Sequence, residues 1–225
     1  MDDERTEEPP EHAAPDELAT DAPPSRERVL EAAARVFAAE GLDAPMPAVA
    51  AAAGVGVGTI YRAFGSKDEL IASLAADRVD WFGQEAQTAR EAPDAWQAFV
   101  DLLARTADQQ AADYVVTEAL SWMFDHAHVR AAQQRAAASI AELMERAKQE
   151  GALRRDFEPA DLQMLFAALG AAQQSTPRGS QGWKRLFGML IDGLAAEGAS
   201  ELREPALTPD DIGRAARERR QRHGH

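Results

Sequence analysis

The chain has 225 residues, 45% of them apolar and 6% aromatic, and a formal net charge of −14; alanine dominates the apolar share and β-branched residues are few, which points to an all-α protein with enough material for a core. It lacks cysteine, so disulfides and thiolate zinc sites are excluded and a reducing compartment fits. No apolar run approaches a membrane span and the N-terminus is acidic rather than basic-then-apolar, so the expectation is a cytoplasmic protein with no signal peptide.

Residues 1–24 are acidic and carry Pro9, Pro10, Pro15, Pro23 and Pro24, a composition too polar to bury itself, and read as a disordered acidic tail. A first helix is predicted from Ser25, as N-cap, to Glu40, with Gly41 as the stop and Leu30, Ala33, Ala34 and Phe37 on one apolar stripe. Pro45 and Pro47 open a second helix, whose Val49, Ala50 and Ala53 face the first. Gly54 supplies a tight turn, and a third helix runs from about Gly56 to Phe64, completing a small core with Val55, Ile60 and Phe64. Ser66 and Glu69 have capping-box spacing at the head of a fourth helix from Lys67 towards Glu91.

Helix, glycine turn and helix in so short a span make a helix-turn-helix. The segment from Gly54 to Lys67 contains Arg62 and Lys67 and no acid, so its local charge is opposite to that of the whole chain. Thr59, Tyr61, Arg62 and Lys67 form a plausible face for phosphates and base edges. The plain alternative for Tyr61 and Arg62 is ordinary exposed helix, and for Lys67 a solvated charge.

Beyond Pro93, helices are predicted over about Ala95–Gln110, Asp113–Asp125, Val129–Glu150, Leu162–Gln174 (opened by Pro159) and Trp183–Ala196. Arg214–His225 reads as a basic tail, within a mobile stretch over 201–225 that we take as a solubilising end. His126 and His128 flank Ala127; their i, i+2 spacing puts them on different helical faces, no third ligand is evident, and they read as a polar loop with no metal. No Ser/His/Asp arrangement, paired carboxylates or phosphate-cradling loop stands out, so neither an enzyme nor a cofactor is expected.

The pattern Leu30-x-x-Ala33-Ala34-x-x-Phe37-Ala38-x-Glu40-Gly41, Val49-Ala50-x-x-Ala53-Gly54-Val55 and Gly58-Thr59-Ile60-Tyr61-Arg62-x-Phe64-x-x-Lys67-x-x-Leu70 resembles the DNA-binding domain of TetR-family repressors, over about Ser25–Leu74. Gly151–Asp156, Asp161-Leu162, Trp183-x-Arg185-Leu186 and Leu190–Leu194 are similar to the C-terminal domains of an actinobacterial-type branch. The resemblance implies a helix-turn-helix domain over residues 25–72 and an effector-binding and dimerisation domain over about 75–200. It places Gly56, Val57, Gly58, Thr59, Tyr61 and Arg62 on the DNA, with Lys67 on a phosphate. Pro45 and Gly56 replace the hydroxyl residues common at the starts of the second and third helices, leaving backbone N–H groups in their place.

It further implies a homodimer pairing through about 159–174 and 181–198, a double-stranded operator as partner, and a small-molecule effector, with no membrane involved. Trp81, Phe82, Trp96, Phe99, Trp122 and Met123 are the candidate pocket residues, although for any one of them by itself core is the better reading. Arg105 and Glu118 are the candidate polar groups beside them. A repressor released by its ligand is the expected function; the alternatives are a helical ligand-binding protein and a constitutive DNA-binding regulator without effector.

Overall fold

In the computed structural model, residues 26–113, 117, 119, 123, 126–177 and 180–222 are described. The acidic tail over 1–24, the Ser25 cap, Trp122, Glu118 and most of the predicted Asp113–Asp125 helix lie outside them. Among the described residues the chain forms α1 (Arg26–Glu40), α2 (Met46–Ala53), α3 (Val57–Phe64), α4 (Lys67–Ala89), α5 (Ala95–Ala112), α6 (Ala127–Gln149), α7 (Pro159–Gln174), α8 (Trp183–Leu194) and α9 (Pro209–Arg222). An isolated antiparallel bridge between Leu153 and Ala195 ties the loop after α6 to the end of α8. The protein is all-α, as its composition requires.

The first three helices pack because their apolar positions share faces. Phe37, Val49 and Ile60, one from each of α1, α2 and α3, are fully buried together with Leu70 of α4. Gly54 ends α2 at φ 69, ψ 37, a left-handed geometry that a Cβ would strain, and Val55 N–H reaches back to the Ala50 carbonyl at 3.0 Å. The same buried cluster continues past α4 to Met123, Val129 and Ala132, so the N-terminal helices and the start of α6 share one core.

Helix α4 begins on a real cap: the Ser66 hydroxyl accepts the Glu69 N–H at 3.1 Å. It then lies alongside α6 with both chains running the same way. Glu69 faces His126, Asp80 takes the Arg135 guanidinium through two hydrogen bonds of 3.0 and 2.6 Å, Gly83 abuts Ala136, and Arg90 meets Glu142. Arg146 closes the far end by donating to the Arg90 and Ala92 carbonyls.

A second core gathers Phe99, Leu102, Leu103, Leu143, Met144, Leu153, Leu165, Leu169 and Trp183 from α5, α6, α7, α8 and the loop after α6. Within it Gln110 of α5 donates to the Phe166 carbonyl of α7 at 2.9 Å. Gly170 leaves room for that amide: a Cβ there would come within 2.8 Å of the Gln110 nitrogen, which would have to shift.

The C-terminal stretch departs from the expected mobile tail by forming α9. Thr208 and Asp211 cap it reciprocally, with Thr208 N–H on the Asp211 carboxylate at 3.1 Å and Asp211 N–H on the Thr208 hydroxyl at 3.2 Å, and Ile212 and Ala216 are buried. The Thr208-Pro209-x-Asp211 sequence carries that signal, and the run of arginines that follows masks it in a reading by composition.

Candidate nucleic-acid interface and effector region

The amphipathic split of α3 presents the predicted face. Ile60 is wholly buried and Phe64 nearly so, which turns Gly58, Tyr61 and Arg62 outward; Tyr61 is 46% exposed. Val57 and Thr59 are half-buried at the edge of that face. The Arg62 guanidinium lies 3.5 Å from the Thr59 hydroxyl, one turn back, so the two polar groups share one patch.

The N-cap of α3, Gly56, is extended at φ −72, ψ 143 and supplies no side-chain cap bond; Pro45, at φ −73, ψ 144, starts α2 in the same way. The first N–H groups of both helices therefore have no hydroxyl or carboxylate of the cap residue in front of them, a geometry that suits phosphate oxygens. Lys67 stands apart from the patch. It is half-buried, and its ammonium sits 5.9 Å from the centre of the Phe37 ring, so part of its role is to cover the core. Arg26 works similarly, stacked 5.1 Å over Phe64 and hydrogen-bonded to Ser73 at 2.9 Å, pinning the start of α1 to α3 and α4.

Of the candidate pocket residues, Phe82, Trp96 and Phe99 belong to the second core. Phe82 meets Phe166 edge-on at 6.0 Å; Trp96 and Phe99 lie 6.4 Å apart, with Phe157 against Phe99 at 6.3 Å. Met123 is buried in the other core, beside the DNA-binding helices, and Trp122 is outside the described residues. Arg105 is engaged with Glu85 at 3.1 Å. The candidates are thus divided between the two cores, Met123 in the first and Phe82, Trp96 and Phe99 at the second.

Trp81 lines a depression of about 340 Å³ with Ala34, Leu74, Asp77, Arg78, Gln109, Ala112 and Asp113. It sits where α1, α4 and α5 meet. Arg78 donates to Gln109 and to Asp113, the latter at 3.2 Å; burial lowers its pKa while Asp113 opposes that. Desolvation raises the Asp77 carboxyl above its ordinary value, with Arg26 pulling the other way. Gln109, Asp113 and Arg78 are polar groups that reading by aromatic content passes over. A second hollow, of about 440 Å³, is lined by Arg154, Arg155, Asp156, Ala196, Ala199, Ser200 and Glu201.

His126 and His128 are not in a loop. His126 is the N-cap of α6, its Nδ1 accepting the His128 N–H at 3.4 Å, and Glu69 of α4 stands beside both rings. Their i, i+2 spacing straddles a helix start, where side chains do not follow the helical period, so the two rings converge.

Exposed apolar groups mark the outer faces of α7 and α8: Met164 is 52% exposed and Met189 56%.

Comparison with known proteins agrees with this geometry. Residues 29–74 match the family model of bacterial regulatory proteins of the tetR family, and residues 93–196 match the C-terminal domain of SbtR-like transcriptional regulators. A TetR transcription regulatory protein from Mycobacterium vanbaalenii is 31% identical over 76% of this chain and 94% of its own, with a TM-score of 0.53. A TetR transcriptional regulator from Streptomyces coelicolor is 27% identical over 76% of this chain and 98% of its own, at 0.57. A fatty acid degradation regulator from Bacillus halodurans shares the fold at 22% identity and a TM-score of 0.58, over 74% of this chain and 92% of its own. No curated protein matches.

Proposed function

The chain belongs to the TetR family and is a DNA-binding transcriptional regulator, and from that premise we propose that it is a dimeric repressor which reads a palindromic operator through α3 and leaves it when a small molecule binds the C-terminal helices. The observation that carries this reading is the two-sided α3: Ile60 and Phe64 anchor it, while Gly58, Tyr61 and Arg62 face outward on an acid-free stretch of an acidic protein.

In this reading residues 25–72 are the DNA-binding domain and 75–200 the effector and dimerisation domain. Gly56, Val57 and Gly58 offer backbone N–H groups and close approach at the start of α3. Thr59, Tyr61 and Arg62 contact phosphates or base edges, and Lys67 reaches a phosphate. Gly58 and Val57 provide few hydrogen bonds to bases, so methyl contacts and DNA deformability carry part of the specificity. The apolar outer faces of α7 and α8 pair with those of a second copy as a four-helix bundle, which sets two α3 helices about 34–36 Å apart, one turn of the duplex.

Release requires a ligand that binds the DNA-competent and incompetent states with different affinity. Continuous α4, with α6 alongside it, is the lever between the effector region and α3. The depression around Trp81, Arg78 and Asp113 is the effector-side feature nearest that lever.

Selecting fragments bound from random duplex DNA tests the reading. Recovery of a palindrome, bound with a salt-dependent affinity by two chains, supports it. Binding to no duplex at low ionic strength, or a monomer on a non-symmetric site, overturns it.

A further inference from the structure

The starts of α4 and α6 bring three metal-ligating side chains into one cluster. His126 Nε2 lies 3.4 Å from one Glu69 carboxylate oxygen, and His128 Nδ1 lies 3.8 Å from the other. One ligand atom from each of the three falls within 4.8 Å of the other two. The imidazoles meet edge to face, centres 5.5 Å apart and planes at 86°, so their nitrogens converge on the carboxylate rather than stacking away from it.

Zinc bonds of about 2.0–2.1 Å in a tetrahedral arrangement hold ligand atoms about 3.3–3.4 Å apart. The Glu69–His126 gap already has that spacing; His128 approaches the other carboxylate oxygen at 3.8 Å, and the three ligand atoms together lie within 4.8 Å. The wider gap within the cluster closes by side-chain rotation, which His128 has room for because half of its side chain is exposed. We propose that Glu69, His126 and His128 bind one divalent cation of the zinc class, with water completing the coordination.

The donor set names the class. Two imidazoles and a carboxylate suit zinc and its first-row neighbours, whereas magnesium and calcium want oxygen alone. Coordination at His126 Nε2 puts that ring's proton on Nδ1, so the 3.4 Å cap contact from the His128 N–H is exchanged for the metal bond. Glu69 is free to ligate because its role at the head of α4 is carried by its backbone N–H, which stays on Ser66. The site joins the first turn of the helix that follows α3 to the first turn of α6, so a bound cation clasps the DNA-binding helices to the C-terminal ones.

The test uses the full-length chain without an affinity tag, stripped of metal at pH 7.5. Titration with Co²⁺, followed by visible absorption and equilibrium dialysis, is expected to show one ion per chain with ligand-field bands that Zn²⁺ abolishes. Glu69→Gln and His128→Ala should each weaken uptake by about tenfold or more, with far-ultraviolet circular dichroism unchanged. Glu69→Gln keeps side-chain volume and the Ser66 cap, so it separates loss of a ligand from loss of structure. No uptake, or undiminished uptake in both variants through His12, His223 or His225, overturns the proposal.

Discussion

Gly83 of α4 seats Ala136 of α6 with no room for a side chain between them: a Cβ on Gly83 would lie 2.6 Å from the Ala136 Cβ and 2.9 Å from its Cα. No flexible side chain can give way there, so any larger residue must part the helices. Gly83→Val therefore loses more in packing than it gains in helix propensity. We expect a net destabilisation of about 1–3 kcal/mol, read as a lower denaturant midpoint.

Arg62→Ala should leave the thermal midpoint nearly unchanged, within about 0.5 kcal/mol, because the residue is exposed. Operator affinity should fall. If Arg62 holds a phosphate, the slope of log affinity against log salt should shrink by about one; if it reads a base, the recovered operator should lose its preference at one position. Fluorescence anisotropy across a salt series distinguishes the two. Undiminished affinity removes Arg62 from the interface.

Ser66→Ala removes the hydroxyl that accepts the Glu69 N–H. A loss of about 1 kcal/mol is expected. Hydrogen exchange should show it concentrated in the first turn of α4.

Met164→Glu combined with Met189→Glu puts charge on the exposed faces of α7 and α8 without touching the core. Light scattering should report a monomer where the parent chain is a dimer, and operator affinity should drop by about a hundredfold or more as the paired half-sites are lost. A dimer that persists in the double variant places the interface elsewhere.

Asp156 provides a pH dependence of known sign. The Arg154 guanidinium, at 2.6 and 3.0 Å, and the Leu202 N–H, at 2.8 Å, hold its carboxyl well below the ordinary carboxylate range. A depressed native pKa contributes stability that is fully present above the unfolded value of about 4 and is lost as pH falls from there through the native value. Protection of the Leu202 amide, corrected for intrinsic exchange, should be flat from pH 7 to 5 and decline below about pH 4. Asp156→Asn should abolish that decline.

The local structure was legible because its signals are local. Pro45, Gly54 and Ser66 mark boundaries through their own backbone chemistry, and the stripes on α1 and α3 assign the core of the first three helices. What pairs with what was not legible. Small residues recur on both α4 and α6, and only the fold reveals that Gly83 seats Ala136. The Ser66–Glu69 spacing suggested a two-way capping box; half of it formed, while the Glu69 side chain went to His126 on a distant helix. For the same reason a histidine pair read as lacking a third ligand has a candidate one, and Met123 joins a different core from Phe82, Trp96 and Phe99.

The amide bridge between Gln110 and Phe166 restricts how the C-terminal half can move. Its nitrogen sits opposite Gly170, where a Cβ would come within 2.8 Å, so displacing α7 by one turn along α5 would break the bond and bring the amide against a residue that carries a side chain. Sliding is thereby disfavoured and swivelling about this point is not. The proposed signal from the C-terminal helices to α3 is then expected to travel as a change of angle rather than of register.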